Sequence, residues 1–170
     1  MAKYRPFRRH DARDYALKWA LRRNPENPDF SGRRGGGGDC ANFVSQSLYA
    51  GGCPRDPRDW WAGQSSATIA WNRASHLRHH ISTLLWATRC DRNELWLGDI
   101  VFGLIDGDVV HAMIVTDVKA PRPGSRHQVY ICGHTTDRLN YDLENVDSFY
   151  GAKNVEYWSM ANNVRAYTYG

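Results

Sequence analysis

The sequence predicts an α+β domain, with N-terminal helices packed on an antiparallel sheet. Three observations point there. Apolar residues recur at helical spacing across the first half of the chain. From residue 95 the pattern changes to short runs of strand formers. Asp106-Gly107 stands between two such runs as a hairpin turn. Helices followed by a run of strands is the order of an α+β fold.

Residues 9–23 predict the first helix. Ala12, Tyr15, Ala16, Trp19 and Ala20 form a stripe at i, i+3, i+4, with Arg23 at its edge. Asn24-Pro25 and Asn27-Pro28 end it, and 24–38 reads as a turn-rich loop draped over the site. The second helix starts at Cys40. Asp39 is the expected N-cap, Phe43, Val44, Ser47 and Leu48 the apolar face, and Gly51 or Gly52 the left-handed residue that stops it. In the loop 53–66, the pair Trp60-Trp61 reads as a hydrophobic plug rather than an exposed platform. Residues 67–89 predict a third helix, buried through Ile69, Leu77, Ile81, Leu84, Leu85 and Thr88. His76 and His80 are spaced as metal ligands can be, but no Glu lies between them and no third ligand is evident. With His79 they are expected at the surface, and no metal or cofactor is expected.

Strands follow at 100–104, 109–116 and 127–133, with a turn at 121–124. A short helix is expected around 143–150 and a final strand at 164–169.

The 170 residues are most simply one domain, 1–170. An apolar fraction of 42% excludes a disordered chain. Four Cys without Cys-x-x-Cys spacing exclude a disulfide framework and a Cys-rich zinc site. A net charge of +4 suits an anionic partner, although acidic residues lie between the basic ones. Seven Trp and nine Tyr suit a substrate groove. No run reaches the ~18 apolar residues of a membrane span, so no membrane insertion is expected. Residues 1–10 lack the apolar stretch of a signal peptide. The chain is therefore expected to be made as a soluble protein, and to need other means of transport if it acts outside the bacterial cytoplasm.

Cys40 is the candidate nucleophile. At a helix start, the partial positive charge favours thiolate over thiol. A thiolate needs a base, and a base needs an orienter. His111 interrupts an apolar strand and is the candidate base. His134 closes the next strand, about 5 Å away if the two form a hairpin, and is the candidate orienter. Asp137 is its main rival and Asn154 a weaker one. The glycines at 35–38 leave the approach to Cys40 open.

The stretch Gly-Gly-Asp-Cys-Ala-Asn-Phe-Val-Ser-Gln-Ser-Leu-Tyr-Ala-Gly-Gly resembles the signature of the bacterial putative amidase domain family. Gly98-Asp99-Ile100-Val101-Phe102, His111-Ala112-Met113-Ile114-Val115-Thr116 and His134-Thr135 match the same family in order. The usual pattern has Thr where this chain has Ala41 and Cys where it has Ser47; neither position is in the triad. The family is similar to the NlpC-type and CHAP-type hydrolases of the papain-like superfamily. That implies a papain-like fold, Cys40 as nucleophile, His111 as general base and His134 as orienter. The backbone N–H of Cys40 would serve the oxyanion, with Asn42 a possible second donor.

The resemblance implies amide hydrolysis in peptidoglycan stem peptides. Without a signal peptide, two settings fit: an exported antibacterial effector, paired with a cognate immunity protein, or a phage-type lysin. The lack of wall-binding repeats favours the effector. A reading of a different class is a non-catalytic, basic, aromatic-rich module that binds cell wall or nucleic acid. A fast-alkylating Cys40 with a depressed pKa would favour the enzyme, and no nucleic-acid partner is expected then.

Overall fold

The computed structural model describes residues 4–32, 38–119 and 123–165. Its order is β1 (Tyr4–Pro6), α1 (Arg9–Trp19), α2 (Cys40–Ala50), α3 (Ile69–Asn72), α4 (Ala74–Thr83), β2 (Ala87–Arg89), β3 (Ile100–Ile105), β4 (Asp108–Lys119), β5 (Gln128–Gly133), β6 (Arg138–Asp142), α5 (Leu143–Tyr150), β7 (Val155–Met160) and β8 (Asn163–Arg165). Six strands form one antiparallel sheet in the order β2-β7-β3-β4-β5-β6, and β1 pairs with β8 apart from it. The mixed α+β class is as the sequence predicts.

Strand side chains alternate between the two faces of a sheet. On one face Phe102, Ala112, Ile114 and Cys132 pack against Ala12 and Ala16 of α1, Phe43, Val44 and Leu48 of α2, and Leu77 and Ile81 of α4. On the other, Val101, Met113, Val115 and Ile131 pack against Leu143 and Val146 of α5. The sheet is therefore covered on both sides. Small residues let α1 and α2 approach closely: a Cβ at Gly51 would lie 2.8 Å from that of Ala12 and 2.6 Å from the Phe7 ring. Gly52, at φ +97°, takes the left-handed conformation expected at the end of α2.

Several expectations need correction. The first helix ends at Trp19 rather than at 23. There the Trp19 carbonyl accepts from the Arg22 N–H, three residues on, which tightens the last turn. The helix expected over 67–89 is interrupted. Arg73 is extended, α4 stops at Thr83, and 87–89 is a strand. Ile69 and Leu85, expected inside, are 49% and 80% exposed. Trp60 is a plug, 2% exposed, and its indole N–H donates to Ser45 Oγ at 2.9 Å. His80 is not a surface residue. It is buried, stacked on Trp60, with Nδ1 2.6 Å from Asp59 Oδ2. Strands β1, β6 and β7 were not foreseen. The Asp106-Gly107 hairpin forms, with both residues at positive φ. Of the strand expected at 164–169, 164 and 165 lie in β8, which starts one residue earlier at Asn163, and 166–169 lies outside the described residues. Of the turn at 121–124, 121 and 122 also lie outside them.

Candidate active site

Cys40 opens α2 and is 4% exposed. Asp39 precedes it, but its carboxylate does not cap the helix. Oδ1 accepts from the Phe30 N–H at 3.1 Å and the Asn42 side-chain amide at 2.7 Å. Oδ2 meets His134 Nδ1 at 2.6 Å and Arg23 Nε at 3.0 Å. A carboxylate 1% exposed needs such partners, because an isolated buried charge is strongly disfavoured. The bonds continue beyond Asp39. Asn42 also donates to the Pro28 carbonyl at 2.7 Å and accepts from the Trp71 indole at 2.9 Å. Gln46 donates to Asn42 at 3.0 Å and accepts from the Tyr15 hydroxyl at 2.7 Å. This network ties loop 24–30 to α2. It also occupies the Asn42 amide, which is thereby removed as an oxyanion donor.

His134 belongs to the same network. Its Nε2 lies 2.8 Å from the Trp19 carbonyl, and its ring stacks on Phe43 with centroids 4.0 Å apart. Both ring nitrogens are engaged, so His134 does not reach His111. The reason is register. Ile114 pairs with Cys132, so the pleat puts Ala112 and His134 on the α2 face and His111 and Gly133 on the α5 face. Accordingly, a Cβ on Gly133 would lie 3.7 Å from His111 Nε2. The alternative orienters do not reach it either. Asp137 forms a two-pronged pair with Arg23 at 3.0 Å on each oxygen. The Asn154 amide donates to the Tyr150 carbonyl at 2.9 Å.

Cys40 and His111 are linked through their neighbours. Past the Ile114–Cys132 pair β4 and β5 part, and the Cys40 thiol receives the Ala112 N–H, the Thr135 hydroxyl and the Ala41 N–H. His111 is the residue before Ala112. Among the described residues its ring nitrogens have no hydrogen-bond partner. The ring faces a cavity of about 330 Å³, shared with Thr135, Arg138, Tyr141, Asn145 and Tyr150. Thr135 thus touches the thiol and lines the cavity. Tyr150 lines it too, and its hydroxyl is pushed up first by burial and then by Cys40 nearby. Thr135 adopts φ +84°, a strained conformation for a β-branched residue. A Cβ on Gly38 would come 2.1 Å from its Oγ1, so glycine is needed there. Residues 33–37, including the other glycines of the run, lie outside the described residues.

The electrostatics correct a second expectation. Burial pushes the Cys40 thiol up from its ordinary value, outweighing the Ala112, Thr135 and Ala41 donors, and Asp39 adds to the rise. Burial also pushes His111 down to about 4, with Arg138 contributing. The resting pair is thiol and neutral imidazole, not a preformed thiolate. Burial raises Cys53, Cys90 and Cys132 as well. Among the described residues no three His, Cys, Asp or Glu side chains group as a metal site would need. No helix there is long and apolar enough to cross a membrane.

Thr135, Tyr150 and Arg138 were not singled out from sequence. Only Thr135 had a signal, as the neighbour of His134 in a recognised motif.

The chain matches the family described as "Putative amidase domain" over residues 6–160 and belongs to it. It is similar to two proteins of Bacillus subtilis (strain 168). One is the uncharacterized protein YhbB, 33% identical over 103 residues, 55% of this chain and 31% of YhbB. The other is the uncharacterized protein YjcM, 32% identical over 155 residues, 84% of this chain and 34% of YjcM. The chain thus spans at most about a third of the length of these relatives. No solved structure matches.

Proposed function

We propose that this member of the putative amidase domain family is a cysteine hydrolase of papain-like type that cleaves amide bonds in peptidoglycan peptides. One observation carries the reading. A thiol at a helix start is held against the Ala112 N–H and the Thr135 hydroxyl, and Thr135 lines the same cavity as the ring of His111, the residue before Ala112. The family name suggests amide hydrolysis, and these groups suit its chemistry.

The reaction runs as acyl transfer. His111, neutral at pH 7, takes the Cys40 proton as sulfur attacks the amide carbonyl, giving a tetrahedral oxyanion. The Cys40 backbone N–H, in the first turn of α2 where helix N–H groups lack partners within the helix, would serve that oxygen as a donor. The imidazolium then protonates the leaving amine. A water deprotonated by His111 attacks the thioester carbonyl, and the Cys40 thiol leaves with the acid product. Proton transfer is coupled to attack, because both groups rest uncharged. His134 acts at a distance in this scheme. With Asp39 it fixes the start of α2, and so the direction of the thiol.

The wall substrate rests on the resemblance in sequence, and the basic, aromatic-rich composition is compatible with it. Action outside the producing cytoplasm, as an exported effector with an immunity partner or as a lysin, goes with that substrate. Digestion of purified sacculi, with mass spectrometry of the fragments, tests the proposal. Wild type should release peptide fragments and Cys40→Ala should not. Identical fragment patterns would overturn it.

A further inference from the structure

We infer that the substrate carries a free carboxylate close to the scissile amide, and that Arg138 receives it. The inference rests on the amidase reading of the Cys40 site.

Arg138 begins β6, opposite Gly133 in the ladder, and its side chain lines the cavity that holds His111. Its guanidinium lies 4.1 Å over the Tyr141 ring. That stacking fixes the plane of the fork and leaves its edge free for a planar, two-pronged acceptor. Among the described residues no carboxylate pairs with it. Arg9, Arg23, Arg78 and Arg92 each hold one, at 2.7, 3.0, 2.9 and 2.8 Å respectively. A cation left unpaired beside a cavity is a ready site for an anion from solution. A single guanidinium balances a single charge, which fits a carboxylate better than a phosphate dianion. The cavity, about 330 Å³, is at the small end of ligand sites and suits a residue or two of peptide. Tyr141 and Tyr150 give it aromatic walls, and the Asn145 amide can pair with a peptide group.

The arrangement also couples binding to chemistry. Burial depresses the basicity of His111 most, and the Arg138 charge adds to it. A carboxylate bound at Arg138 offsets that charge, so the base strengthens once the matching substrate is in place.

Two ligands that differ only in the carboxylate test this: acetyl-L-alanyl-D-glutamate γ-methylamide and its α-carboxamide. Cys40→Ala protein is titrated with each by calorimetry. We expect the acid to bind at least about tenfold tighter than the carboxamide. Arg138→Gln, placed in the same background, should abolish the difference, and Arg138→Lys should keep part of it. In NMR titrations the His111 ring should protonate at higher pH with the acid bound, and not with the carboxamide. Equal affinities, binding of neither ligand, or a preference that survives Arg138→Gln would overturn the inference. So would tighter binding of inorganic phosphate than of the acid. The amidase reading fails separately, if wild type releases nothing from sacculi, because the binding preference is measured without turnover.

Discussion

Two histidines lie on opposite faces of one sheet and live in opposite conditions. His134 is 2% exposed, bonded at both ring nitrogens and stacked on Phe43. His111 has no bonded partner among the described residues and faces a cavity. A ring fully engaged with Asp39 and Trp19 cannot shuttle a proton without breaking the network that holds α2. A ring with open nitrogens can. On the proposed mechanism the contrast separates positioning from chemistry: His134 would fix where Cys40 points, and His111 would exchange a proton with it.

The contrast breaks most readily through activity. Cys40→Ala should lower turnover at least about 10³-fold, and His111→Ala by about 10²–10⁴-fold, since nucleophile and base are lost in turn. Both variants should keep wild-type urea midpoints at pH 7. Equal activity of wild type and His111→Ala would assign the base elsewhere. His134→Ala should show the reverse balance. It leaves Asp39 buried without its imidazole partner and should lower stability by about 3–5 kcal/mol in urea unfolding. A His134→Ala protein as stable as wild type would remove the positioning role.

A pH series sharpens the comparison. His111 titrates near 4 in the folded protein against an ordinary 6.5. As pH falls below 6.5 the unfolded chain takes up a proton that the folded ring refuses until about 4. The folded state is therefore fully favoured above 6.5 and loses up to about 3 kcal/mol as pH drops to 4. His111→Asn should flatten this part of the urea-midpoint profile. A matching slope in both proteins would refute the shift.

Thr135 gives a smaller effect with two signs. Thr135→Gly relieves a positive-φ strain and should raise stability by about 1 kcal/mol. It also removes the hydroxyl at Cys40, and turnover should fall about tenfold. Loss of stability together with activity would make Thr135 a simple packing residue. Smallest of all, iodoacetamide should alkylate Cys40 slowly at pH 7 and faster only above the ordinary thiol range, because burial holds the proton on sulfur. Fast alkylation at neutral pH would restore the preformed thiolate that the helix start alone suggests.

Local chemistry was legible in the chain. The start of α2 at Cys40, its end at Gly51-Gly52, the Asp106-Gly107 hairpin and the His111 strand each follow from neighbouring residues. The break at Arg73 was not legible, because no Gly or Pro marks it. Nor was the role of Asp39. A cap needs only the next turn of helix, whereas the bonds Asp39 makes come from Phe30, Arg23 and His134.

The sequence by itself placed a thiol at the head of a helix and a histidine in each of two adjacent strands. Tertiary structure alone decided what surrounds each. Strand period puts His111 and Met113 on one face, but which face looks at α2 depends on register and on the helices that cover each side. Helix-end charge favours a thiolate, but burial decides otherwise. Both outcomes turn on partners far apart in the chain, and no local pattern encodes those.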